Sequence, residues 1–155
     1  MATFYSPNGN PEVWARKPDG YYTPEEWAAL HPPPKPTLEE VRESKLSELA
    51  CSFNARVSGF ITTTSGYKMQ FDTSDSIKMQ GAIQLLEATG ANEGYLTQAE
   101  DTTVYNVPID TMKNVLIEMM TAFAACHARK QELRAAIKAA ETVEELDAIK
   151  ITWPL

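Results

Sequence analysis

The sequence predicts an α+β, helix-rich fold in which long helices pack with two short β-hairpins, preceded by an extended proline- and aromatic-rich N-terminal arm. Three observations predict it. Eight of the ten prolines lie at or before Pro36, which keeps that stretch out of helix and sheet interiors. Beyond Pro36, apolar residues recur at helical spacing over three long stretches. Between those stretches, two β-branched and aromatic runs are each broken by turn residues.

The arm is read as residues 1–36 and the domain as 37–155. Six of the fourteen aromatics fall in the arm: Phe4, Tyr5, Trp14, Tyr21, Tyr22 and Trp27. Disordered linkers are poor in such residues, because rings bury the area that drives ordering. The arm is therefore expected to lie against its own domain, a sister subunit or a partner. Thr23-Pro-Glu-Glu26 fits a capping box with proline at the first helical position, so a short helix is expected over Pro24 to Leu30. Pro32-Pro-Pro-Lys-Pro36 cannot continue it and reads as a stiff polyproline spacer. His31, at a helix end before proline, needs no role as ligand or base.

In the domain, Thr37-Leu-Glu-Glu40 repeats the capping pattern and opens a helix through Leu38, Val41, Leu46, Leu49, Phe53 and Val57, stopped at Gly59. Phe60 to Thr64 and Tyr67 to Phe71, joined at Ser65-Gly66, form the first predicted hairpin. Asp72 to Asp75 offers a cap for a helix that stops at Gly90. Tyr95 to Ala99 and Val104 to Ile109 form the second hairpin. Asp110 is then expected to cap a helix of about thirty residues, long against a usual length of about 11–12. Met112, Leu116, Met119, Phe123, Cys126, Lys130, Leu133, Ile137 and Ala140 follow a heptad seam with Lys130 as its polar member. The seam wants a partner helix. The Leu38 to Val57 helix is favoured, and a sister subunit is the other candidate, which would make Met112, Leu116, Met119, Phe123, Lys130, Leu133 and Ile137 an oligomer seam. A last short helix from Thr142 through Ile149 precedes Trp153, which is expected to dock on the core.

A net charge of −7 argues against a phosphate-backbone partner. The basic stripe of Arg129, Lys130, Arg134 and Lys138 reads as cations placed late in a helix. No apolar run reaches the roughly 20 residues of a membrane span, and the N-terminus lacks the basic and apolar regions of a secretory signal. No nucleic acid, membrane, metal or cofactor is expected. Cys51 and Cys126 lack metal-ligand spacing and read as free thiols. No P-loop, GxGxxG, HExxH or GxSxG motif occurs, and Glu25-Glu26, Glu39-Glu40 and Glu144-Glu145 read as first-turn residues complementing helix dipoles. No catalytic residues are assigned. The chain is expected to bind another protein and not to be an enzyme, with the six arm aromatics as partner-binding residues.

The succession from Leu38 to Leu155 resembles an uncharacterised domain family of tailed-phage and prophage proteins, often encoded beside tail fibre genes and described as tail fibre assembly or tail-associated. The matching segments are Thr-Ser-Gly-Tyr-Lys-Met-Gln-Phe-Asp at 64–72 and Leu-Arg-Ala-Ala-Ile-Lys-Ala-Ala at 133–140. Thr-Val-Glu-Glu-Leu-Asp-Ala-Ile at 142–149, ending in Trp153-Pro154, matches as well. Phe-Tyr-Ser-Pro at 4–7 and residues 18–27 look like the leader of phage-borne members. The resemblance carries no established catalytic or ligand-binding residues. It implies a tail fibre assembly chaperone acting in the host cytoplasm, with the phage tail fibre as partner. The alternative it implies is a structural fibre-tip cap or adaptor retained in the virion tail.

Overall fold

The computed structural model describes residues 1–154, so Leu155, the last residue of the expected domain, lies outside the described residues. The chain divides into two units, Met1–Thr37 and Leu38–Leu155. The helix-rich α+β class holds, with five α-helices and three antiparallel hairpins among the described residues. The additional hairpin lies in the arm.

In the first unit, β1 (Ala2–Tyr5) pairs with β2 (Pro11–Trp14), so the arm is a folded hairpin and helix where an extended segment was expected. Pro11 is tolerated because it opens an edge strand, where no ladder donor is lost. Gly9, at φ +83, closes the connecting turn, and Asn10 N–H donates to Ser6 Oγ at 3.1 Å. α1 (Pro24–Leu30) begins at the expected capping box: Thr23 accepts from the Glu26 amide, and Glu26 accepts from the Thr23 amide.

The second unit is organised on α4 (Ile109–Ala139). Before it come α2 (Leu38–Val57), the hairpin of β3 (Phe60–Thr62) and β4 (Lys68–Gln70), and α3 (Thr73–Thr89). α3 is capped by Asp72 and closed by Gly90 in the left-handed region. β5 (Glu93–Thr97) and β6 (Thr103–Pro108) follow, joined through a single 3₁₀ turn, and α5 (Val143–Ala148), capped by Thr142, follows α4.

α2 runs antiparallel to α4. Arg42 near the start of α2 donates to the Ala140 carbonyl at 2.8 Å, while Phe53 further along meets Phe123 edge-on at 6.0 Å. The Arg42 contact satisfies a carbonyl that the end of α4 leaves without a helical donor. One core cluster joins Phe53 and Val57 to Phe71, Ile83, Leu96, Met112, Val115 and Met119. A second joins Leu49 to Leu133, Ile137 and Leu146. Trp153 packs against both clusters and donates to Ser52 Oγ at 2.8 Å.

Asp110 does not cap α4. The strand runs straight into the helix with Pro108 at the cap position, and the Ile109 amide donates to the Asn92 carbonyl at 2.9 Å. Because the helix already begins at Ile109, Asp110 falls inside its first turn and not at the cap. β5 and β6 slip register between Gly94 and Tyr95, leaving Asn106 as the extra residue at φ +55. Such a bulge bends the strand and re-aims the side chains beside it.

Gly94 lies where the sheet meets the helices. A Cβ there would stand 2.7 Å from Leu86 Cδ1 and 2.9 Å from Met112 Sδ. Gly94→Ala is expected to lower stability by about 1–3 kcal/mol through overpacking. Phe71→Ala, which empties a fully buried position, is expected to cost about 3–5 kcal/mol. Equilibrium denaturation of each variant checks both values.

Candidate functional site

The sequence-assigned binding rings all lie in the first unit, where local structure sorts them onto two faces of the β1–β2 hairpin. Alternation along the strands puts Phe4, opposite Glu12, on one face and Tyr5, opposite Pro11, on the other. The free edge of β1 is closed by Tyr22: the Tyr5 amide donates to the Tyr22 carbonyl at 2.7 Å, and the reverse bond is 2.8 Å. This bridge brings α1 beside the hairpin.

On the Tyr5 face, Trp27 of α1 stacks on Tyr5 at 5.5 Å and 11°, and meets Tyr22 at 5.6 Å. His31, one helical turn on, stacks on Trp27 at 3.8 Å, and its Nδ1 lies 3.2 Å from the Trp27 carbonyl. Offset ring pairs of this kind contribute about 0.5–1.5 kcal/mol each beyond their buried area. Gly9 fits beneath the indole, since a Cβ there would lie 3.0 Å from Trp27 Cζ2.

On the Glu12 face, Trp14 meets Tyr21 edge-on at 6.2 Å. One Glu12 carboxylate oxygen accepts from both Trp14 Nε1, at 3.2 Å, and the Tyr21 hydroxyl, at 3.1 Å. Partial burial, followed by the Glu12 carboxylate, holds the Tyr21 phenol above its ordinary range. Lys17 bonds the Glu26 carboxylate, which also closes the capping box. Those bonds, the Lys17 contact foremost, hold the Glu26 carboxyl below its ordinary value.

The arm rings therefore pack first on one another. Trp14 keeps 44% of its surface exposed, and Val13 and Leu30 are exposed apolar neighbours. Phe4, Tyr5, Tyr21, Tyr22 and Trp27 are half-buried. His31, Glu12 and Gly9 are the residues that sequence reasoning missed here. Asn8-Gly9 was the available signal, because Asn-Gly between apolar residues marks a hairpin turn.

The heptad residues have a different fate. Met112, Met119, Leu133 and Ile137 are buried, and Leu116 and Phe123 pack partly buried against the same core. Lys130 places its ammonium 4.2 Å from the Phe53 ring centroid, so the polar member of the seam rests on an aromatic face of α2. The seam offered as an oligomer face is covered from within the chain, because α2 lies along it. Cys51 is exposed and Cys126 buried, both free thiols. Burial pushes the Cys126 thiol up, against an opposing effect of Arg56. Among the described residues no group of three or more His, Cys, Asp or Glu side chains is placed to hold a metal ion, and no helix is long and apolar enough to cross a membrane.

A family model described as a domain of unknown function (DUF4376) matches residues 40–150. No curated protein and no solved structure matches the chain.

The lowered Glu26 pKa sets an expected pH dependence for the arm. Its stabilising effect is fully present above the ordinary glutamate value of about 4.3 and is lost as pH falls through the lower folded value. Tryptophan fluorescence and circular dichroism followed to acid pH should show the arm loosening in that window. In Glu26→Gln the same change should no longer depend on pH there.

Proposed function

The chain belongs to the DUF4376 family, and from that premise we propose that it is a phage tail fibre assembly chaperone, an accessory protein that binds the tail fibre by protein–protein contacts in the host cytoplasm. The observation that carries the reading is the arm's prefolded aromatic surface. Trp27 is fixed by Tyr5, Tyr22 and His31, and beside that cluster Trp14, Val13 and Leu30 stay open. Rings already locked in place lose little side-chain entropy on binding, and tryptophan and tyrosine dominate binding hot spots.

The charge of −7 supports a protein partner over a nucleic acid, since like charge opposes phosphate binding. The domain contributes a rigid body, with a heptad seam closed internally by α2. A chaperone of this kind keeps the fibre's exposed apolar surface from aggregating until the fibre has assembled.

Co-expression with the tail fibre protein tests the reading. The wild-type chain should raise the soluble fibre fraction and co-purify with it, and Trp14→Ala combined with Trp27→Ala should lose most of that gain. Unchanged fibre yield with the wild-type chain, together with no co-purification, would overturn it.

A further inference from the structure

The β3–β4 and β5–β6 hairpins are separate two-stranded sheets, and each turns an edge with no neighbouring strand toward the same groove. In the first, the Thr63 amide donates to the Tyr67 carbonyl at 2.9 Å. With the observed register, the alternation of an antiparallel ladder then turns the backbone groups of Lys68 and Gln70 away from β3. In the second, the Gln98 amide donates to the Thr102 carbonyl at 2.8 Å. The same alternation turns the backbone groups of Tyr95 and Thr97 away from β6.

One contact ties the edges together. The Lys68 amide donates to Gln98 Oε1 at 2.9 Å, so a side-chain carbonyl stands where a neighbouring strand's carbonyl would be. A glutamine side chain bridges the gap, and the two backbones do not pair directly. Between them lies a groove of about 500 Å³ that reaches Met69, Met79, Leu96 and Met119. Those residues belong to the core, and three of them are thioethers that adapt to varied apolar shapes.

The mouth carries charge. Asp75 is paired with Lys78 at 3.3 Å, whereas Asp101 has no ion pair among the described residues. Asp101 and Glu100 are consecutive non-glycine residues at φ +56 and +73, a backbone conformation that costs energy and gathers at binding sites.

We propose that this groove receives an extended segment of a partner protein, which displaces the Gln98 side chain from the Lys68 amide, adds as a strand between β4 and β5 and joins the two hairpins into one sheet. Backbone pairing on both edges supplies the affinity, apolar side chains on one face of the segment meet the methionine floor, and a lysine or arginine meets Asp101. The inference rests on the reading of the chain as a protein-binding factor and adds a second contact to that of the arm.

The probe is a fluorescein-labelled peptide, Thr-Val-Thr-Val-Lys-Val-Thr, titrated with the full chain and read by fluorescence anisotropy. Saturable binding is expected. N-methylation of alternate peptide nitrogens, and Ala82→Arg, which fills the groove from α3, should each weaken it by about tenfold or more, as loss of paired backbone groups requires. Asp101→Asn, on the surface, should weaken the lysine peptide but not its lysine-to-threonine counterpart. No saturation, equal binding of the methylated peptide, or indifference to Ala82→Arg in a chain with an unchanged circular dichroism spectrum would overturn the proposal. So would a dimer in light scattering that Ala82→Arg disperses, because a second copy would then be the occupant. If Ala82→Arg supports soluble fibre as well as wild type while the Trp14, Trp27 double variant does not, the groove inference fails and the chaperone reading stands. If the peptide binds as expected but wild type leaves the fibre insoluble, the reading fails and the groove remains a peptide site.

Discussion

A 31-residue helix is held in a folded protein chiefly by what covers its apolar face, and the covering of α4 is the constraint on which the domain depends. Its stripe from Met112 to Ile137 meets both core clusters. The N-terminal half packs with Phe71, Ile83, Leu96 and Val107, and the C-terminal half with Leu49 and Leu146. α2 closes the seam lengthwise, α3 and the β5–β6 hairpin cover the first half, and α5 covers the end. Without the stripe, both core clusters lose the element that runs through them.

That constraint explains which functions the domain leaves open. Its best apolar surface is used internally, so the heptad seam is not free to recruit a sister helix. Under the proposed function, contacts with another protein come from elsewhere: the arm with its fixed rings, and the hairpin edges that no neighbouring strand covers. A two-stranded hairpin is marginal by itself, and both domain hairpins persist because Met69 and Leu96 insert into the core beneath them. Each hairpin is thereby held with its inner face buried and one edge open. The arm follows the same pattern on a smaller scale, with the half-buried Trp27 at the centre of its own ring cluster.

Much of this was legible where local chemistry decides the outcome. Thr23-Pro24 and the prolines after His31 set both ends of α1, and Asp72 and Gly90 set those of α3. The heptad pattern indicated the length of α4 and its covering by α2. Three features were hidden because long-range contacts decide them. Prolines made the arm look extended, yet Pro11 sits at a strand end and the Tyr5–Tyr22 bridge closes the other edge. Asp110 looked like a cap, but β6 runs straight into the helix, which starts one residue earlier at Ile109. The bulge at Asn106 lies beside Gly94, which packs against Leu86 and Met112, and no local pattern announces it. Of the candidate binding residues, the sequence identified the rings, while their sorting around Trp27 and Glu12 emerged only from the hairpin register.

Amide hydrogen exchange of the full chain, alone and with purified tail fibre protein, tests the central claim of a binding arm on a rigid domain most directly. Exchange should slow on fibre addition across β1, β2 and α1, while the α4 core amides, already protected, stay unchanged. Unaltered exchange throughout the arm, or slowing confined to the exposed face of α2, would contradict the account.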